Sequence, residues 1–161
     1  MGRVQVAGVG MVPFATPSKS QSDDAMAGGA IRVALADAGI TVEQVQQAYA
    51  GYVYADSTSG QKALYCVGKT GMPVVNVNND CSTGSTAPWL ARQAVASGAA
   101  DCVLVLGFEQ MERGGLAMKR ADRPSPFVEF MDVANRVQGT SDAPFAAQLF
   151  GGAGVASALP G

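Results

Sequence analysis

The run DCVLVLG, Asp101 to Gly107, constrains the fold more than any other stretch of the 161-residue chain. Its apolar side chains do not alternate with polar ones, which predicts a strand buried on both faces, as inside a parallel sheet covered by helices. A helical pattern precedes it: STGSTAPWLARQAVASGAA carries an apolar stripe at Ala87, Leu90, Ala91, Ala94 and Val95. Pro88 falls inside this helix, where it removes one backbone hydrogen bond. Further strands are read at MPVVNV, at AYAGYVYA from Ala48 to Ala55, and at the N-terminal VQVAGVGMV. Strands alternating with helical segments predict an α/β layered domain with right-handed crossovers.

The remaining helices follow from their end signals. SQSDDAMAGGAIRVALADAGI has Ser20 three residues before Asp23 as a capping box, apolar positions at Ala27, Ala30, Ile31, Ala34, Leu35 and Ala38, and Gly39 as the stop. Gly28 and Gly29 cost helix propensity, and close packing against another element is the reason to have them there. TVEQVQQ reads as a short helical turn, and SGQKALYCVGKTGM as a helix ending near Gly71. The glycines of VQVAGVGMV give G-x-G without the third glycine of a dinucleotide fingerprint, since Pro13 occupies that place. Close backbone approach is the simpler use for them.

Beyond Gly107 the pattern changes. The stretch from Phe108 to Gly154 has no clean period and contains Pro124, Pro126 and Pro144, so it reads as a long irregular excursion. The division expected is a core over residues 1–109 and an inserted, truncated loop region over 110–161.

Composition narrows the function classes. Eleven basic and thirteen acidic residues give a net charge of -2, and no basic run suggests nucleic acid or an anionic membrane as a partner. Cys66, Cys81 and Cys102 are odd in number and widely spaced, which suggests neither a disulfide framework nor a metal site. No signal-peptide core and no membrane-length apolar run is visible, so the expected location is cytoplasmic, or an organelle reached by a signal not visible here. There is no histidine, so any imidazole base must be brought from elsewhere.

Cys81, in NVNNDCSTGSTAPWLARQAV, stands where a strand ends and a helix begins. Unpaired backbone N–H groups and the helix dipole favour thiolate at such a junction. The small neighbours leave room for an acyl group, and the Cys81 N–H is placed to stabilise an oxyanion on a carbonyl bonded to the sulfur. The alternative is that Cys81 is a small buried residue, with Asp80 or Ser82 serving as a helix cap. Cys102, in the apolar strand, and Cys66, on a helix, read as core residues.

VNVNNDCSTGSTA resembles the nucleophile motif of the thiolases, V-N-x-x-C-[SAG]-[ST]-G, in the variant of the sterol carrier protein X thiolase branch. VAGVGMVPF, ALADAGI, GYVYADSTSGQKALY, TGMPVVNVNND, ARQAVASGAADCVLVLGFEQM and APFAAQLFGGAG resemble the same branch in order and spacing. The resemblance implies a thiolase-like N-terminal half: a five-stranded, mostly parallel mixed sheet between helices, with a loop domain inserted after the CVLVLG strand. It implies a homodimer through the Val74 to Asn78 strand. It also implies an acyl-CoA thiolase that cleaves or condenses 3-ketoacyl-CoA through an acyl group on Cys81, with a coenzyme A thioester as substrate and no bound cofactor or metal. Under it, Met118 and Leu149 correspond to acyl-pocket positions and Lys119, Arg120 and Arg123 to a coenzyme A phosphate site. Ordinary loop packing and a solvated loop face are the alternatives. GFEQM matches the family's G-x-E-x-M, with Glu112 where serine is common.

Two features depart from the family. The catalytic histidines and second cysteine of thiolases lie in a C-terminal half that these residues do not include, so the chain is expected to be inactive alone. Asp80 replaces an asparagine beside the nucleophile, and its charge would raise the thiol pKa. The competing expectations are a retro-aldol lyase of the same superfamily acting on sterol side-chain acyl-CoA, and a non-catalytic half that dimerises.

Overall fold

The computed structural model describes residues 3–111, 122–124, 126 and 128–138; Glu112, Met118, Lys119, Arg120 and Leu149 lie outside them. The chain divides into two compact units, 1–113 and 114–161.

The first unit is built on three parallel strands, β1 (Gln47–Gly51), β2 (Val74–Val77) and β3 (Val103–Gly107), in the order β2-β1-β3. Ala48 lies opposite both Val74 and Leu104, which sets the register across the sheet. Side chains alternate between faces along β1. Ala48 and Ala50 point into one cluster with Ala27 and Ile31 of α1 (Asp23–Ala38), Ala63 and Leu64 of α2 (Ser59–Tyr65), and Leu104 and Leu106. Tyr49 points the other way, packing with Val77 and with Ala87 and Ala91 of α3 (Thr83–Ala96). The unit is therefore a sheet with α1 and α2 on one face and α3 on the other. The two α3 alanines are those of the predicted stripe, and the helix runs on through Pro88.

Burial on both faces belongs to β1, where Ala48 to Gly51 are all buried, rather than to β3, where Val105 is 38% exposed. An uninterrupted apolar run shows that a strand can be covered on both faces. Which strand is covered depends on its place in the sheet, and β1 is central while β3 pairs with β1 alone among the described residues.

The predicted N-terminal strand is corrected: residues 3–14 join no described ladder. A Cβ on Gly8 would meet the Ala38 nitrogen at 2.5 Å and the Ala34 oxygen at 2.6 Å, and one on Gly10 would strike the Ala30 oxygen. The glycines thus lay this backbone directly on α1, and the Val9 N–H donates to Asp37 Oδ2 at 2.9 Å. Val6, Val9 and Met11 are left exposed.

At α1 the Ser20–Asp23 capping box is absent; Ser22 is the cap residue, and Ser20 Oγ donates instead to the Gln21 carbonyl. A capping box does form at the next turn, between Thr41 and Gln44, around a short 3-10 helix at Val42–Gln44. Gly39 takes φ +67 and ends α1 as expected. The glycine pair inside α1 is explained by contact: a Cβ on Gly28 would lie 3.1 Å from Cys66 Cβ, and one on Gly29 3.0 Å from Val12 Cγ1. β1 and α2 stop sooner than predicted, at Gly51 and Tyr65, and Cys66 is exposed at the end of α2 rather than in the core. Cys102 is half-buried against the α1/α2 cluster.

In the second unit α4 (Val128–Gln138) carries an Asp132–Arg136 ion pair one turn apart. No described helix is long and apolar enough to cross a membrane.

Candidate functional site

In a parallel sheet the crevice for ligands lies past the carboxyl ends of the strands. Three segments leave that edge: Tyr52 to Tyr54 after β1, Asn78 to Ser82 after β2, and Phe108 to Glu109 after β3. Cys81 lies in the second.

The turn that carries Cys81 is held by its own polar side chains. Thr83 Oγ1 accepts the Asn79 N–H at 2.7 Å, and Asn79 Nδ2 donates to Thr86 Oγ1 at 3.0 Å. The Asp80 N–H donates to Asn78 Oδ1 at 3.3 Å, and the Asp80 carbonyl accepts the Thr83 N–H at 3.0 Å. Asp80 has φ +46, a left-handed conformation that aspartate and asparagine tolerate better than most residues. Thr83 is buried over Gly51, where an added Cβ would meet Thr83 Cγ2 at 2.9 Å. The close approach of α3 to β1 therefore depends on a glycine at the end of β1.

Cys81 is exposed, which overturns the buried-residue alternative. Its thiol pKa lies above the ordinary value. The adjacent Asp80 carboxylate is the main cause, favouring the protonated thiol by hydrogen bonding and repelling its anion, and desolvation adds to the effect. The Cys81 backbone N–H acts in the opposite direction but does not prevail. Of the two opposing expectations at this junction, the rise caused by the Asp80 charge is the one that holds, over the lowering expected from the helix start.

Sequence reasoning missed two participants. Glu109 sends its carboxylate across to the segment after β1, accepting the Val53 N–H at 2.8 Å and the Tyr54 N–H at 3.3 Å. Tyr54, positioned by this grip, has its phenol pKa raised by burial first and then by the charges of Asp80, Glu109 and Cys81. Phe108 stacks on Tyr52 with ring centroids 5.2 Å apart, which ties the ends of β3 and β1 together a second time. The GFEQM match was the available signal for Glu109; nothing in the spacing pointed to Tyr54.

Of the predicted phosphate-binding residues, Arg123 is described. It pairs with the adjacent Asp122 carboxylate through Nε at 3.0 Å and Nη2 at 2.7 Å. Among the described residues no group of three or more His, Cys, Asp or Glu is placed to hold a metal ion.

A parallel sheet between helices, with an exposed cysteine where its second strand turns into a helix, defines a thiolase-type α/β architecture. The family profile described as "Thiolase, N-terminal domain" matches residues 4–146, and the chain belongs to that family. The chain is 51% identical over 155 residues to sterol carrier protein 2 of Rattus norvegicus, covering 94% of this chain and 28% of the relative. It is 29% identical over 108 residues to the mitochondrial acetyl-CoA acetyltransferase of Macaca fascicularis, covering 65% of this chain and 25% of that protein. Among solved structures it is similar to an Ltp2-ChsH2(DUF35) aldolase, with a TM-score of 0.55 and 26% identity over 72% of this chain and 30% of that one. The chain thus spans about a quarter to a third of the length of these proteins.

Proposed function

We propose that this chain supplies the nucleophile half of an acyl-CoA thiolase of the sterol carrier protein type. The observation that carries the reading is the exposed Cys81 thiol at the carboxyl edge of the sheet, in a turn of small residues held by Asn79 and Thr83. The names of two relatives, a sterol carrier protein and an acetyl-CoA acetyltransferase, support an acyl thioester as substrate.

In the proposed step Cys81 Sγ attacks the thioester carbonyl, and its proton leaves for the departing coenzyme A thiolate. The carbon to coenzyme A sulfur bond breaks as the carbon to Sγ bond forms. The Cys81 N–H is the candidate donor to the transient oxyanion. With no histidine in these 161 residues, an imidazole base would have to reach Cys81 from another polypeptide segment.

The test is incubation with acetyl-CoA at about pH 9, where thiolate is accessible, followed by intact mass and peptide mapping. An acetyl group on the Cys81 peptide, absent from Cys81→Ala, is expected. A Cys81 that never acquires the group defeats the reading.

A carbon–carbon lyase is the second reading, supported by the structural similarity to an aldolase complex. It predicts that Cys81→Ala leaves cleavage of an acyl-CoA aldol unchanged in the assembled enzyme.

The proposed dimer uses β2, which pairs only with β1 among the described residues and leaves Val75 and Asn76 exposed.

A further inference from the structure

The exits of the three strands meet at one crosspoint, Gly51 and Tyr52 at the end of β1. On one side the Gly51 carbonyl accepts the Phe108 N–H from the exit of β3 at 3.2 Å, and on the other the Tyr52 N–H donates to the Val77 carbonyl of β2 at 3.3 Å. Thr83 packs on the same point, since a Cβ on Gly51 would meet Thr83 Cγ2 at 2.9 Å. Thr83 also holds the turn that carries Cys81: its Oγ1 accepts the Asn79 N–H at 2.7 Å, and its N–H donates to the Asp80 carbonyl at 3.0 Å. Just past the crosspoint the chain presents two successive donors, the Val53 and Tyr54 N–H groups, and Glu109 closes on both. Its Oε2 lies 2.8 Å from the Val53 nitrogen, and Oε1 and Oε2 lie 3.3 Å and 3.4 Å from that of Tyr54.

Successive N–H groups turned toward one carboxylate form a small anion-binding nest. Both bonds are partly buried, so removing the acceptor leaves two donors poorly satisfied. We propose that Glu109 is a positioning residue for Cys81. Its carboxylate pins the exit of β1 where the main-chain bonds between strands end, and thereby keeps Tyr52 on Val77 and Gly51 against Thr83, the contacts on which the Cys81 turn rests. The proposal builds on Cys81 as the acyl acceptor, as read above, and adds the residue that holds the nucleophile in place. Glu109 acts through the backbone and not on the acyl group, so what the nest needs is an acceptor of the right shape. Glu109→Ala removes the equivalent of an acetate ion, and free acetate should therefore restore what the substitution takes away.

The experiment compares the wild-type chain with Glu109→Ala and Glu109→Gln, in sodium acetate or in sodium chloride at equal ionic strength. Amide exchange near neutral pH, read by NMR, reports the hold on the turn, and acetylation of Cys81 by acetyl-CoA at about pH 9 reports the chemistry. In Glu109→Ala the Asn79 and Thr83 amides should exchange at least about fivefold faster, while that of Ile31, buried in α1, does not change. Cys81 acetylation should slow by about tenfold or more, the scale expected when a reacting group is slightly displaced. Acetate should reverse both effects and chloride neither. Glu109→Gln, which keeps one acceptor oxygen, should fall between wild type and Glu109→Ala. A residue that only stabilised the fold would speed exchange at Ile31 as well and leave acetylation of the folded protein unchanged.

Acetylation at the wild-type rate in Glu109→Ala, or turn amides that do not respond, overturns the proposal and leaves the acyl acceptor standing. A wild type whose Val53 and Tyr54 amides exchange as freely as unbonded ones also overturns it, and that outcome needs no variant to fold. Responsive turn amides with no acetylation in any of the proteins support the hold of Glu109 on the turn and defeat the acyl acceptor instead.

Discussion

The carboxylate of Glu109, two residues past the end of β3, accepts the backbone N–H of Val53, two residues past the end of β1, at 2.8 Å. The Tyr52 N–H still reaches the Val77 carbonyl of β2 at 3.3 Å, and only the donors after it, Val53 and Tyr54, turn away to meet a charge. Hydrogen bonds to a charged group contribute about 1.5–3 kcal/mol. Glu109→Gln keeps the acceptor and loses the charge, and should destabilise by about 1–2 kcal/mol. Glu109→Ala should cost more, since two N–H groups lose their partner. Urea denaturation of both variants checks the order.

Gly51→Ala should destabilise by about 1–3 kcal/mol, the range for overpacking a filled site. The new methyl meets Thr83 Cγ2 at 2.9 Å and the Thr83 carbonyl at 3.3 Å. Thr83→Ser removes Cγ2 and keeps the hydroxyl that holds the Asn79 N–H. The double variant should therefore recover part of the loss, measurable as a favourable coupling in a double-mutant cycle.

Asp23, at the start of α1, has Oδ1 buried without a hydrogen-bond partner. Burial raises its pKa above 3.8, with the neighbouring Asp24 adding to the rise and Lys62 working against it. A folded pKa above the unfolded one means that the folded state holds the proton more tightly. The stability this contributes is full below pH 3.8 and is lost as pH rises through the folded value. Stability relative to Asp23→Asn should thus fall as pH rises from the unfolded value through the folded one, then level off. A relative stability that rises over this window would contradict the burial of the carboxylate.

The proposed dimer edge is tested by Val75→Lys. Val75 is 42% exposed at the open side of β2, and a two-fold contact there would set two lysines against each other. Light scattering should show a dimer for the wild type and a monomer for the variant. A monomeric wild type would remove β2 as a self-association surface.

Much of the layering was legible in the amino-acid order because period and end signals are local. The alanine stripe of α3, the Gly39 stop of α1 and the strands VVNV and VLVLG are each specified by residues within one or two turns of each other. The N-terminal strand misled because VQVAGVGMV satisfies a strand pattern and a helix-packing pattern equally well. Gly8 and Gly10 settle it by bringing the backbone against Ala34, Ala38 and Ala30. The failed cap at Ser20 and the unread one at Thr41 have a similar cause, because a cap depends on where the preceding residues lead the chain.

At the site, the sequence by itself determined that a cysteine stands between a strand and a helix, that its neighbours are small, and that an aspartate precedes it. Tertiary structure decided the rest. Glu109 and Tyr54 lie 55 residues apart in sequence yet meet because parallel register brings the ends of β1 and β3 side by side. The sign of the perturbation at Cys81 depended on which charge lies nearer the sulfur. Local pattern places the helix dipole and Asp80 there together. In the folded turn, with Asp80 in a left-handed conformation, the full charge prevails.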